Sequence, residues 1–332
     1  VGEQQQKEDE LMLTIYAMDV DDAYSKAWTT MQIHGEKSES RNGPVTAVPC
    51  PVTTVYVAPM DRVLFNEVRD ANPFFHLFES LWMLSGSDDA TWLDRFVGDF
   101  SSRYAEEDGT QWGAYGHRWR VHFEYDQLDV VVRRLKRDPN DRRVVIQMWD
   151  ANADLFDPEM GSAEPKDVPC NTQIYPRIVN GRLDITVTCR SNDVVWGAYG
   201  ANAVHFSVLL EYLAGRIGVR VGKMYQISNN WHLYDAVASR FQPVQYRPYP
   251  GSVPMATDWD GWDDDLTTFM DGAESPLSYR NAWFSSVAEP MWAAHSLWKV
   301  GDRIGAQLEA TRIDAPDWRI AALKWMDRRM QT

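Results

Sequence analysis

One segment limits what this chain can become: NPFFHLFESLWMLSG, residues 72–86. Asn72 is a helix-capping residue, Pro73 suits a first turn and Gly86 suits the end. Between them apolar residues run nearly all round the helix axis. Such a helix cannot lie on a surface and has to be enclosed by other elements. The chain has the material to enclose it: 332 residues, 44% hydrophobic, with 15 Trp, 14 Tyr and 12 Phe. One carboxylate, Glu79, sits inside the apolar run. With apolar helix on both sides it reads as buried rather than solvated, which makes it a candidate general acid/base.

The surrounding sequence alternates helical and strand patterns without the regular order of a Rossmann unit. Residues 1 to about 18 read as a loose start, followed by a helix from Asp19 to about His34 and a strand in TTVYVAP. WLDRFVGDFSSRYA continues the helical pattern, DQLDVVVRRLKRDP is a helix stopped at Asp138 and Pro139, and RRVVIQMW reads as a strand. CNTQIYPRI and GRLDITVTC flank Asn180-Gly181, a tight-turn pair. ANAVHFSVLLEYLAG is a helix closed by Gly215, RVGKMYQISNN a strand, and WHLYDAVASRF a helix or turn. Residues 240–286 are rich in Pro, Gly and Asp and read as loop. WDGWDDD within them reads as a solvated acidic turn, since it lacks calcium-loop spacing. Residues 288–331 are helical. The sum is α+β with one large sheet, a single domain over 1–332.

Net charge is -15, the opposite of a general nucleic-acid binder. A small anionic substrate remains possible wherever a few arginines converge. No run of the sequence is apolar enough to cross a membrane, and VGEQQQKEDE has no apolar stretch of signal length. The three cysteines, Cys50, Cys170 and Cys189, form no CxxC pair, so no metal site is expected, and the sparse odd set suits a reducing cytoplasm.

Cys170 stands out from the other two. Pro169 precedes it, a strand begins just after it, and twenty residues on comes Arg190 in TCRSNDVVWG. In a hairpin-like pair Arg190 returns to the thiol and is expected to lower its pKa, which favours the thiolate that attack on an electron-poor carbon needs. Cys189 and Cys50 read as packing. His205, on an apolar helix face, reads as a core histidine. Core packing is also the default for Trp28, Trp92, Trp112 and Trp196.

These fragments together resemble the thymidylate synthase family. That family carries Pro-Cys, then Arg-Ser-x-Asp, a Gly and an Asn. This chain has Pro169-Cys170, Arg190-Ser191-Asn192-Asp193, Gly197 and Asn202. It also has the family's His-x-Tyr as His232-Leu233-Tyr234 and its Arg-Arg before a strand ending in Trp as Arg142-Arg143 and Trp149. The family's Tyr-Gly-x-x-Trp-Arg falls at Tyr115–Arg120, its helical Glu at Glu79 and its N-terminal Arg-x-Gly at Arg41-Asn42-Gly43. The resemblance covers residues 19–240, leaving 241–332 as a divergent C-terminal region.

The resemblance implies a large mixed sheet packed with helices, with the sheet faces pairing in a homodimer. It implies a Cys170 thiolate that adds to C6 of a pyrimidine nucleoside monophosphate, and a one-carbon unit brought to C5 by 5,10-methylenetetrahydrofolate. It places Glu79 as acid/base, Tyr115 beside the chemistry and Asn202 on the base edge. Asp193 falls to the pterin, with Gly197, Ser101 and Tyr104 on the folate side. His232 and Tyr234 fall to the sugar. Arg41, Arg190 and Ser191 fall to the phosphate, joined by Arg142 and Arg143 from the partner subunit.

Four departures bear on the product. Asn171 follows the cysteine where the family has His. The loop Gly197–Asn202 is one residue longer. Ser101 replaces a folate-side tryptophan. The chain ends KWMDRRMQT instead of the family's apolar closing tail. Methylation requires water to be kept from the intermediate while hydride is delivered. A site without the closing tail and stacking ring is expected to add water instead. The sequence reading is therefore 5-hydroxymethylation of CMP or dCMP, with thymidylate synthesis or hydroxymethylation of dUMP as the alternatives.

Overall fold

The computed structural model describes residues 12–157, 159, 164–243, 247–272 and 278–331. The expected loose start lies outside the described residues as far as residue 11. Beyond that it is corrected: LTIYA forms strand β1 (Leu13–Ala17), which pairs in parallel with β4 (Val52–Tyr56) and so gains a ladder the sequence alone does not announce. Helix α1 (Val20–His34) follows, capped by Asp19, whose side chain accepts from the Asp22 amide.

The expected α+β fold with one large mixed sheet packed with helices is present, and among the described residues a second, smaller sheet accompanies it. The larger has six strands in the order β1-β4-β9-β7-β6-β5, where β5 is Ile146–Gln147, β6 Asn171–Val179, β7 Arg182–Cys189 and β9 Arg220–Ser228. The smaller has the order β2-β3-β10-β8, with β2 at Glu36–Ser40, β3 at Gly43–Ala47, β8 at Asn192–Asp193 and β10 at Trp231–Tyr234. Both mix parallel and antiparallel pairs. The β6–β7 hairpin turns at Asn180 (φ 51°) and Gly181 (φ 70°), the two left-handed positions a tight hairpin requires.

Helix α2 (Pro73–Leu84) is enclosed as expected. Ten of its twelve residues are buried; the exceptions are Phe75 and Glu79. Asn72 accepts from the amides of Phe74 and Phe75. The segment after it is not one helix: a 3-10 turn at Ala90–Arg95 and a short helix at Phe100–Tyr104 are separated around Gly98. RRVVIQMW pairs as a strand only at Ile146–Gln147. Helix α3 is Gln127–Arg137. Helix α4 runs Asn202–Ile217 and ends at Gly218 (φ 88°), not at Gly215. Gly215 lies inside it because the Trp259 ring occupies the place of its Cβ, 1.9 Å from where that carbon would sit.

The stretch 240–286 contains helix α5 (Trp262–Met270). Its acidic start is not simply solvated: Asp263 meets Arg120, Arg216 and Tyr212, and Asp265 accepts from the amides of Arg280 and Asn281. Helices α6 (Glu289–Lys299), α7 (Arg303–Thr311) and α8 (Pro316–Met330) complete the chain. No described helix is long and apolar enough to cross a membrane, and no metal-holding cluster of His, Cys, Asp or Glu occurs among the described residues.

Candidate active site

Cys170 is mounted where the sequence placed it, at the entry to β6. Its carbonyl accepts from the Arg190 amide at 2.8 Å, so the start of β6 and the end of β7 are locked together. A bulge in the β6–β7 register falls between Asn171 and Gln173, next to the thiol. The Arg190 guanidinium turns back over the loop, donating from Nε to the Pro169 carbonyl (2.9 Å) and from Nη2 to that of Val168 (3.0 Å). It also lies 5.5 Å from the Trp149 ring.

The electrostatic outcome differs from the expectation. Burial pushes the Cys170 thiol up; Arg190 and then Arg41 pull it down, with Asp167 opposing them, and burial prevails. Arg190 is therefore in place, but in the unliganded protein it does not suffice to lower the thiol pKa.

A cavity of about 620 Å³ opens above Cys170. Arg41, Arg190, Ser191, His232, Tyr234 and Tyr104 all line it, which brings the sequence candidates for phosphate, sugar and one folate contact to one place. Arg41 sits on the β2–β3 turn and pairs with Glu164 at 2.8 Å. His232 and Tyr234 come from β10, and Asn42 donates to the Tyr234 hydroxyl at 3.5 Å. Asp167, Trp149 and Asn230 also line the cavity and were missed. Asp167 in particular is pushed up by burial, against a bond from Gln111; its place three residues before Cys170 was the only available signal.

Two groups of candidates fall elsewhere. Arg142 and Arg143 are exposed and do not line their own chain's cavity. Arg143 is held by Asp141 at 3.1 Å. Ser101 does not line it either: its hydroxyl donates to Asp94 Oδ2 (2.6 Å) and its amide to Oδ1 (2.9 Å), so the side chain is spent on a turn.

Behind the cavity a polar chain links two of the remaining candidates, Tyr115 and Asn202, while Glu79 of α2 does not line the cavity and lies beside His205. The Tyr115 hydroxyl accepts from the amides of Cys170 (3.2 Å) and Asn171 (3.1 Å) and from Asn171 Nδ2 (2.9 Å). Asn171 Nδ2 also donates to Asn202 Oδ1 (3.2 Å), Asn202 Nδ2 to Asn192 Oδ1 (3.1 Å), and Asn192 Nδ2 to Ser228 Oγ (2.9 Å). Asn171, where the family pattern has His, thus links Tyr115, which holds the Cys170 amide, to Asn202. Its Oδ1 is buried and has no partner. Every link is an amide or hydroxyl, so the chain can reverse as a unit, with the Tyr115 hydroxyl then donating to that oxygen. Gly197 serves this chain: a Cβ there would come within 2.7 Å of Asn192 Oδ1.

Asp193 caps the turn leading to α4, accepting at Oδ1 from the amides of Val195 (2.9 Å) and Trp196 (2.6 Å), while Oδ2 is buried and has no partner. Burial favours the neutral forms of both Asp193 and nearby His232. Trp196 is 44% exposed, with Arg69 at 4.3 Å and Arg240 at 5.5 Å from its ring, so it is not the core residue expected. Trp112 is also partly exposed and donates to Asp154. Trp92 and Trp28 pack against the core, as does Cys50, and Cys189 is buried, as expected.

The thymidylate synthase family profile matches residues 22–254. A deoxyuridylate hydroxymethyltransferase of Pseudomonas phage M6 is 42% identical, over 96% of this chain and 95% of its own length. One of Bacillus phage SP01 is 37% identical over 55% of this chain and 49% of its own. A putative thymidylate synthase of Methanothermobacter marburgensis is 30% identical over 51% of this chain and 73% of its own.

Proposed function

The chain belongs to the thymidylate synthase family, and we propose that it hydroxymethylates C5 of dUMP. The observation that carries the reading is the meeting of a half-buried thiol, Cys170, with Arg41, Arg190, Ser191 and His232 around one cavity. A nucleotide fits that arrangement: guanidinium groups for the phosphate, His232 and Tyr234 for the sugar, and Cys170 beneath the ring. Arg142 and Arg143, exposed and absent from the cavity lining, are read as phosphate contacts supplied to a partner subunit in a homodimer.

The family's one-carbon donor is methylenetetrahydrofolate, and the residues present fit it. The orphaned Oδ2 of Asp193 is an acceptor for an N–H such as the pterin carries, with exposed Trp196 closing the hydrogen-bonded turn that Asp193 caps. Bound there, the folate supplies a carbon at the oxidation level of formaldehyde. This chain's residues do the rest. The Cys170 thiolate adds to C6 and raises electron density at C5. Tyr115 fixes the Cys170 backbone, Asn202 holds the base edge, and Glu79 moves protons at C5 and O4.

Two observations support this product and base. Among the described residues the cavity lining ends at Tyr234 and includes none of α8, which favours the reading that water reaches the intermediate. The base is taken as uracil rather than the cytosine expected from sequence, because the phage relatives are named for deoxyuridylate and the reversible Asn171–Asn202–Asn192 chain can present either amide face. Incubation with methylenetetrahydrofolate and dUMP or dCMP, followed by product mass, tests this. A gain of CH2O on dUMP is expected. A gain of CH2 with dihydrofolate formed, or reaction only with dCMP, overturns it.

A further inference from the structure

The sequence consigned His205 to the core, and it is indeed 3% exposed, yet the fold gives it a chemical neighbour. It lies three residues after Asn202 on α4, so the two side chains leave the same helix face. Because α4 packs along α2, His205 Nε2 comes to 2.9 Å from Glu79 Oε2. Both atoms are buried, and although they stand 2.9 Å apart neither completes a hydrogen bond in this arrangement, so each is an unsatisfied partner for the other. The Glu79 side chain keeps 13% exposure, so the imidazole is sealed behind a carboxyl that retains an open edge. The charge of Glu79 acts on Asp167 and Tyr104, both cavity residues.

We propose that His205 is a positioning residue for Glu79 and that the pair serves the water-addition step. The inference rests on the hydroxymethylase reading and deepens it. In that step the water oxygen bonds to the exocyclic methylene carbon at C5, the π pair of that double bond moves onto the C4 oxygen, and the water proton passes to Glu79. Collapse of the enolate forms the C5–C6 double bond and breaks the C6–S bond, releasing Cys170 as thiolate. No oxidant or reductant is required. From 2.9 Å a small rotation in the Nε2–H tautomer lets His205 donate to Oε2, which restricts carboxylate rotation when the proton is taken up. Without it the carboxylate is free to turn within an apolar surround, and misplacement of an acid/base group costs rate rather than affinity.

The test compares His205→Ala and His205→Gln with the wild-type enzyme for kcat and KM of CH2O transfer to dUMP, alongside dUMP dissociation constant without folate and thermal melting. For His205→Ala, kcat should fall by about tenfold or more while the dUMP dissociation constant stays within about twofold of wild type. His205→Gln, whose amide N–H can replace the imidazole donor, should recover most of the loss. An alanine variant with wild-type kcat overturns the proposal. So does one whose rate loss is matched by weaker dUMP binding and lower melting and is not rescued by Gln. A wild-type enzyme that adds CH2 instead sinks the hydroxymethylase reading itself, an outcome read before any variant is made.

Discussion

The nucleophile region and the C-terminal helices are held by opposite means. Around Cys170 the cohesion is polar: Tyr115, Asn171, Asn202, Asn192 and Ser228 form one buried line of hydrogen bonds, each fixing its neighbour. In α6–α8 it is aromatic: Trp325 meets Phe74 and Trp298, and Trp292 meets Phe78, Trp92, Phe96 and Phe269. A polar line adds little net stability but defines positions closely, because a broken link leaves a buried donor without an acceptor. An aromatic cluster adds much stability and tolerates small shifts. The first suits a site that must hold positions, the second a scaffold, and the scaffold packs against α2 through Phe74 and Phe78.

The sharpest break in that contrast is Cys170→Ala. It should lower tritium release from C5-labelled dUMP by roughly 10⁴-fold or more and leave the melting temperature near wild type; a variant that still releases tritium ends covalent catalysis as an account. Next is Trp325→Ala, expected to cost about 3–5 kcal/mol in denaturant unfolding while still yielding the wild-type product. A changed product would mean the helices take part in the chemistry after all. Tyr115→Phe strips the acceptor from three N–H groups. It should cost about 1–3 kcal/mol of stability, with kcat falling further than the stability loss explains, as steady-state kinetics beside unfolding would show.

A smaller effect lies at the junction. Asp70 holds Arg328 at 2.9 Å and Arg329 at 2.7 Å, clasping α8 to the loop before α2. The groups are part-exposed, so Asp70→Asn should cost only about 1 kcal/mol, without altering CH2O transfer. The smallest is a pH slope. Burial pushes Asp21 up to about 7, where it accepts from the Phe65 amide and feels Lys324 of α8. The folded chain thus holds this proton more tightly than the unfolded chain. Its contribution to stability is present in acid and drains as pH rises from the ordinary carboxylate range to about 7. Unfolding titrations of Asp21→Asn should show that slope flattened.

Much of this was legible in the residues. The all-round apolar pattern of 73–84 required an enclosed helix, Asn180-Gly181 required a tight hairpin, and that hairpin necessarily returned Arg190 to Cys170. What was not legible followed from long-range pairing. Strand β1 exists because β4 offers it an edge. The 3-10 turn at 90–95 replaced a helix that local propensity favoured. Ser101 is spent on a local turn with Asp94, and Trp196 is left exposed beside Arg69 and Arg240, which come from far along the chain. Asp167 carried no motif.

The sequence by itself determined the family, the capping residues and the nearness of Arg190 to Cys170, because these are set by residue type and short spacing. Only the tertiary structure decided that burial outweighs Arg190 at the thiol, that Asn171 joins Tyr115 to Asn202, that Arg142 and Arg143 stay outside the cavity lining, and that His205 stands beside Glu79. Desolvation and hydrogen-bond partnership are properties of what surrounds a group in space, and no spacing along the chain encodes them.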